Sequence, residues 1–311
     1  MKLSKAKDNN NYLVSVVMNC FNGEEYLKQA LNSLIAQTYK NWELIFYDNC
    51  STDRSKLILK EFKDNKIIYF KSNKKYDLGL ARKKALAKTK GDFISFLDTD
   101  DIWNRNKLQK QVKCFDNKKI GFSISNSIFF NQSKKKIFYS PNIKFTKKVF
   151  YKLIENYFIS FDTVMIRSSY LKKLDHKFDE RFNIIHDMDL LIRLSMICEM
   201  NYVPLSLSKW RMREESLSYN NFHSIIKEKK ILIHKLSKLK KNNQKFNHSK
   251  KTYMDTLYRQ EILLLISQKK ISKIFGLITK LKINLKNIFL ILIIFFPFKK
   301  YIFNNYFNLK Y

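Results

Sequence analysis

The chain has 311 residues, of which 60 are Lys or Arg and 27 are Asp or Glu, a formal net charge of +33. Hydrophobic residues make up 45% and there are only 5 Gly and 3 Pro, which excludes wholesale disorder and a collagen-like chain. The four cysteines, Cys20, Cys50, Cys114 and Cys198, are widely spaced and form no CxxC. That excludes a zinc ribbon and a dense disulfide framework, and favours a reducing compartment.

The opening MKLSKAKDNNNY lacks an apolar run, so no secretory signal is expected there. Residues 12–18 (YLVSVVM) read as a buried strand. Asn22-Gly23 marks a turn, with Asn22 suited to cap the next helix. In EEYLKQALNSLIAQ, Leu27, Ala30, Leu31, Leu34 and Ile35 share one helical face. A strand at 42–47 (WELIFY) ends at Asp48. Thr52 or Asp53 is placed to cap a short helix through Phe62. A third strand covers 66–70, a helix 78–88 with Gly91 beyond it, and a fourth strand 92–97 ends at Asp98. Strands alternating with such helices predict a parallel sheet with right-handed crossovers. Ligands of open sheets bind outside the carboxyl ends of the strands, where Asp48 and Asp98 stand. Downstream, the pattern predicts a helix at 104–115, a hairpin at 120–139, a strand at 160–166, a helix at 187–198 and an extended stretch at 201–210. From Ser224 onward it is helical and basic.

Asp98-Thr99-Asp100-Asp101 puts three carboxylates within four residues of a chain short of acid. Such a cluster is costly unless a cation offsets it. Mg2+ or Mn2+, held by one or two carboxylates and a substrate diphosphate, suits it. An acidic turn in which Asp101 caps the next helix is the other reading.

Five blocks occur in order: VSVVM with Phe21-Asn22-Gly23; Gln37-Thr38-Tyr39; Asp48-Asn49-Cys50-Ser51-Thr52-Asp53; Gly79-Leu80-Ala81-Arg82; and Gly91-Asp92 with Phe96-Leu97-Asp98-Thr99-Asp100-Asp101-Ile102-Trp103. Together they resemble the nucleotide-sugar-binding half of the family 2 glycosyltransferases. The resemblance implies the GT-A α/β fold, a Rossmann-like, mainly parallel sheet with flanking helices, here followed by an α-helical tail. It also implies a donor site of Asn22, Asp48, Arg82, Asp98, Arg211 and Arg213. In that site Asp48 recognises the base, Arg82 lies near the diphosphate, and Asp98 meets the sugar or ribose. Asp100 holds a divalent metal, Mn2+ or Mg2+.

Weaker matches follow. His186-Asp187 stands where the family has a Glu-Asp pair, which makes Asp187 the general base. Asp187 also suits the N-cap of its helix, and Asp189 points elsewhere. His186 in place of Glu reads as a structural residue. Trp210-Arg211-Met212-Arg213 and Ser216-Leu217-Ser218 resemble a segment that reads aromatic-Arg-x-His, with Arg213 in the His position. An Arg there can bind phosphate but cannot ligate a metal. The implied reaction is a single, inverting displacement that transfers a sugar from a UDP-sugar to a glycan or lipid-linked acceptor.

Residues 222–311 hold 20 basic and 3 acidic residues, about half the net charge. Within them, 288–298 (IFLILIIFFPF) is an apolar run flanked by Lys282, Lys286, Lys299 and Lys300. It is too short to span a ~30 Å hydrocarbon core. It reads as a shallow anchor on an anionic membrane surface, or as a helix packed on the catalytic domain or a partner. The expected organisation is 1–110 for nucleotide sugar, 111–221 for acceptor and 222–311 for membrane association. That implies a cytoplasmic enzyme at the inner face of a membrane, in surface polysaccharide or lipopolysaccharide synthesis. Two other readings are a non-catalytic nucleotide-sugar-binding relative and a basic nucleic-acid-binding protein. The second leaves the acidic run unexplained, so no specific nucleic acid is expected as partner.

Overall fold

The computed structural model describes residues 12–140, 145–213, 221–240, 243–268, 270–281 and 287–288. These form two compact units. One takes the described residues up to Phe150 and those at 158–213, the other those at 151–157 and from 221 onward.

The first unit begins with β1 (Val14–Cys20), α1 (Glu24–Ile35), β2 (Trp42–Asp48), α2 (Ser55–Lys60), β3 (Ile67–Lys71), α3 (Leu78–Leu86) and β4 (Phe93–Phe96). The strands lie in the order β3-β2-β1-β4 and every pair is parallel. β1 and β2 are buried almost throughout. Parallel strands covered on both faces read as continuous apolar runs, which is why VSVVM and WELIFY show no alternation.

Then come β5 (Ile102–Trp103), α4 (Lys107–Val112), β6 (Ile120–Phe130), β7 (Lys135–Ile137), α5 (Phe150–Glu155, which after its first residue belongs to the second unit), β8 (Met165–Arg167), α6 (Ser168–Leu171), α7 (His186–Ser195) and β9 (Glu199–Arg211). The sheet continues β4-β8-β6-β9-β5, and β7 hangs on β6. β8 is antiparallel to β4 and β6, whereas β9 runs parallel to β6. β5 meets β9 antiparallel, Ile102 opposite Lys209 and Trp103 opposite Ser208. That pairing carries the end of β9 back beside the acidic run, so residues distant in sequence meet there.

Several local expectations are corrected. Asn22 does not cap α1. Its backbone is left-handed (φ 51), and its side-chain carbonyl accepts from Thr52 N at 2.9 Å. The start of α1 is capped instead by Asp53, which accepts from Glu24 N at 2.9 Å, while Glu24 accepts from Arg54 N at 2.8 Å before α2. Each acid satisfies the orphan N–H at the other helix's start. The 160–166 stretch is a tight turn, Phe161–Thr163, followed by β8. α7 starts one residue early, so Asp187 lies inside its first turn and Ile185 holds the cap position.

Two glycines of the family blocks are dictated by close packing. A Cβ on Gly79 would lie 2.4 Å from the carbonyl of Phe182, and one on Gly91 2.5 Å from Ser15 N. Other block residues are also structural. Gln37 joins the end of α1 to α4, donating to Asn104 O at 2.8 Å and accepting from Leu108 N at 3.1 Å. Asp92 accepts from Leu13 N at 3.0 Å.

The second unit contains α8 (Phe222–Leu239), α9 (Gln244–Ser267) and α10 (Phe275–Ile278). Asn243 caps α9, accepting from Phe246 N at 2.8 Å. Ile225, Leu232, Leu236, Phe246, Leu257 and Ile262 are buried. Among the described residues no helix is long and apolar enough to cross a membrane. Residues 289–298 of the apolar run, its flanking lysines and Ser216–Ser218 lie outside the described residues.

Candidate active site

At the carboxyl ends of β1 and β2 two loops are stitched together. Asn22 N donates to Ser51 Oγ at 3.1 Å, and Cys50 is the second non-glycine residue with a left-handed backbone (φ 70). Asp48 ends β2 and is 1% exposed. One of its oxygens accepts from Ser51 N and the other from Tyr69 OH, both at 2.8 Å. Burial and this carboxylate push the Tyr69 phenol up. Asp48 therefore fixes the start of the loop after β2 and ties it to β3.

Beyond β4, Asp98 carries the most open carboxylate of the acidic run, with its side chain 39% exposed. Both its oxygens are held by Arg82 Nη2 from α3, at 2.5 and 2.7 Å. Arg82 itself is buried, its guanidinium 4.8 Å over the Phe161 ring. The fold thus turns Arg82 onto Asp98. Its other terminal nitrogen meets His186 Nε2 at 2.5 Å. His186, set aside on sequence grounds, is part of the site. The two residues are 104 positions apart, and nothing local in the sequence signals their contact.

Asp100 is paired with Arg213 Nη2 at 2.8 Å. Its main-chain carbonyl accepts from Arg211 Nε at 3.0 Å. Burial first, then the neighbouring Asp98, pushes the Asp100 carboxyl up. Arg211 lies 4.0 Å over the Tyr26 ring and 4.6 Å over Phe130, and donates to Gln29 at 2.8 Å. Asp101 is buried. Its Oδ1 accepts from Arg211 N at 3.1 Å, and Oδ2 has no partner among the described residues. Burial, then Asp100, pushes its carboxyl well above the usual range.

Among the described residues no three His, Cys, Asp or Glu side chains converge as a metal cage. A dedicated cage is not what Mg2+ or Mn2+ requires, because one carboxylate and two phosphate oxygens form a usual set. Asp100, whose side chain is partly exposed, supplies such a carboxylate. The residues fit a metal brought in with a diphosphate. In this structure Arg213 covers the Asp100 oxygen that would receive it.

Asp187 sits half-buried in the first turn of α7, next to His186. Asp189, two residues on, is fully buried and paired with Arg193 at 2.6 Å, a structural role. The structure thus brings Arg82, Asp98, Asp100, Arg211 and Arg213 together, while Asn22 and Asp48 form the neighbouring loops.

Under the acidic run Lys107 is fully buried, donating to Gln111 at 2.6 Å and Ser95 at 3.2 Å. Burial pushes its pKa down to about 7. The folded chain therefore releases this proton before the unfolded chain does, so stability rises between about pH 7 and pH 10. Lys107→Met removes that rise, on the order of a few kcal/mol by urea unfolding at the two ends of the window. Identical pH dependence in both proteins would contradict this.

Paired acids and guanidinium groups at the carboxyl edge of an α/β sheet stand where such sheets bind their ligands. The sequence model described as glycosyl transferase family 2 matches residues 15–175, more than half of the chain. The chain belongs to that family and is a glycosyltransferase. It is 31% identical over 226 residues to the Escherichia coli UDP-Glc:alpha-D-GlcNAc-diphosphoundecaprenol beta-1,3-glucosyltransferase WfgD, covering 71% of this chain and 85% of the relative. The S. aureus TarS 1-349 structure in complex with UDP-GlcNAc superposes with a TM-score of 0.64 at 17% identity, over 86% of this chain and 81% of that one. The mannosyltransferase PcManGT from Pyrobaculum calidifontis, in complex with GDP-Man and Mn2+, gives 0.58 at 14% identity, over 83% and 75%. These two similarities establish the GT-A fold.

Proposed function

We propose that this glycosyltransferase moves a sugar, with inversion, from a UDP-sugar to a hydroxyl of a lipid-linked glycan at the cytoplasmic face of a membrane. The observation that carries the reading is the acidic run at the end of β4, with Asp98 open to solvent and each flanking guanidinium in place. The activity of the WfgD relative and the UDP-GlcNAc held by the TarS structure support a UDP-sugar donor and, for WfgD, a diphosphate-linked lipid acceptor. The basic composition of residues 222–311 supports a membrane surface as partner, and a role in surface polysaccharide or lipopolysaccharide assembly follows by analogy.

Asp98 orients the donor through the sugar or ribose hydroxyls. Asp187 takes the proton of the acceptor hydroxyl as its oxygen bonds to the anomeric carbon. The bond from that carbon to the diphosphate breaks in the same displacement, and the configuration inverts. Arg211 and Arg213 flank the acidic run and offset the charge that develops on the leaving phosphate. A divalent metal on Asp100, when bound, supplies further charge neutralisation at the diphosphate.

The test is turnover of a panel of UDP-, GDP-, CDP- and dTDP-sugars with Mn2+ or Mg2+, with and without a polyprenyl-diphosphate glycan. The expected result is nucleotide release from a UDP-sugar, accelerated by the lipid acceptor. Failure to release nucleotide from any donor would sink the catalytic reading.

A further inference from the structure

His186 precedes the candidate base and is 2% exposed, edge-on to Phe178 at 5.5 Å and to Phe161 at 6.2 Å. Burial, then the charge of Arg82, holds its pKa well below the ordinary value, so the ring is neutral. A neutral imidazole has one N–H and one acceptor nitrogen. The Arg82 guanidinium can only donate, so Nε2 accepts. The proton is therefore on Nδ1, which donates to the carbonyl of Asn183 at 2.8 Å. The tautomer follows from the partners on either side.

The chain of contacts has a direction. Asn183 O accepts from His186, His186 accepts from Arg82, and Arg82 donates to both oxygens of Asp98. Asn183 ties in the other element as well, because its side-chain oxygen accepts from Leu78 N at 2.8 Å, at the start of the helix that bears Arg82. Gly79, with no room for a Cβ against Phe182, lets that helix come close enough. The Arg82–His186 contact is buried, the links through Asn183 are part-buried, and the chain ends on the partly exposed carboxylate of Asp98.

We propose that His186 is a positioning residue of the donor site: it fixes the guanidinium of Arg82 and, through it, the orientation in which Asp98 receives the donor's hydroxyls. This rests on the reading of Asp98 as a donor contact. A neutral acceptor suits the task. A carboxylate at position 186 would compete with Asp98 for Arg82, whereas imidazole orients the guanidinium and leaves its charge to Asp98. The same contact joins the helix bearing Asp187 to the donor carboxylate, which explains why the His stands beside the base.

The experiment is calorimetric binding of UDP, UDP-glucose and UDP-N-acetylglucosamine to the full chain, followed by steady-state kinetics with whichever sugar nucleotide turns over. His186→Leu removes the acceptor, and His186→Gln restores an amide oxygen near the Nε2 position. The Leu variant is expected to weaken sugar-nucleotide binding about tenfold or more, the worth of one hydrogen bond to a charged group. It is expected to raise donor KM while kcat changes by less than about threefold. The Gln variant stays within about threefold of the wild type in binding. Two results would overturn the proposal: a Leu variant that binds like the wild type, or Leu and Gln variants impaired alike in binding and in Tm, which marks a packing role. If the wild-type protein binds none of the three nucleotides, the donor reading itself has failed, a result separate from either of these.

Discussion

Asp187→Asn leaves donor binding unchanged and lowers kcat by roughly 10²- to 10⁴-fold, the usual share of a general base. Asn matches Asp in size and still accepts a hydrogen bond through its carbonyl, but it cannot take up a proton at neutral pH. Asp187 is half-buried in the first turn of its helix and not at the cap position. Its replacement leaves the cap residue in place, and an unchanged Tm separates lost chemistry from lost structure. The check is a pair of measurements: donor affinity by calorimetry, and transfer rate at saturating donor. A variant that transfers at the wild-type rate would remove Asp187 from the mechanism. This profile is the reverse of the one expected at His186, where binding changes and kcat does not.

The second large effect is at Asp100. In the wild-type protein Mn2+ or Mg2+ is expected to tighten nucleotide binding, and in Asp100→Ala that response disappears. Transfer efficiency falls by about a hundredfold or more, because several kcal/mol of charge stabilisation at the leaving group are lost. The structure explains why a single carboxylate can matter so much. Asp101 is buried and pushed towards its protonated form, and Asp98 gives both oxygens to Arg82. Asp100 is left as the acid whose partner, Arg213, is a partly exposed side chain able to move. Arg213 and a metal would both draw on the Asp100 carboxylate. Arg213→Ala is therefore expected to raise Mn2+ affinity in the absence of nucleotide, measured by titration of the free protein. Nucleotide affinity that is the same with Mn2+ and with EDTA in the wild-type chain would count against a metal at Asp100.

Much of the fold was legible in the sequence because parallel strands and amphipathic helices leave local marks. YLVSVVM, WELIFY and DFISFL are apolar runs of strand length, and each ends near a turn or an acid. The carboxyl-edge position of Asp48 and Asp98 followed from that alternation. Local chemistry was harder to read where two loops solve one problem together. Asn22 looked like a cap for its own helix, yet it serves Thr52, while Asp53 serves Glu24 as well as Ser55 at the start of its own helix. A cap needs only an oxygen near an orphan N–H, and that oxygen can come from any chain segment that is close in space. The blocks around Gln37 and Gly91-Asp92 resembled family motifs, and their work in the structure is to tie α1 to α4 and to seat the start of β4 against the start of β1.

The class of fold, the acidic run and the uneven placement of the +33 charge, about half of it in residues 222–311, were legible along the chain. These are properties of neighbours along the chain. Tertiary structure alone decided what each acid touches. Asp98 meets Arg82, Asp100 meets Arg213 and Arg82 meets His186 through contacts spanning 16 to 113 positions. The antiparallel pairing of β5 with β9 and the close approach allowed by Gly79 create those meetings. A buried charge takes whichever partner the packing brings within hydrogen-bond reach, and spacing along the chain does not encode that distance.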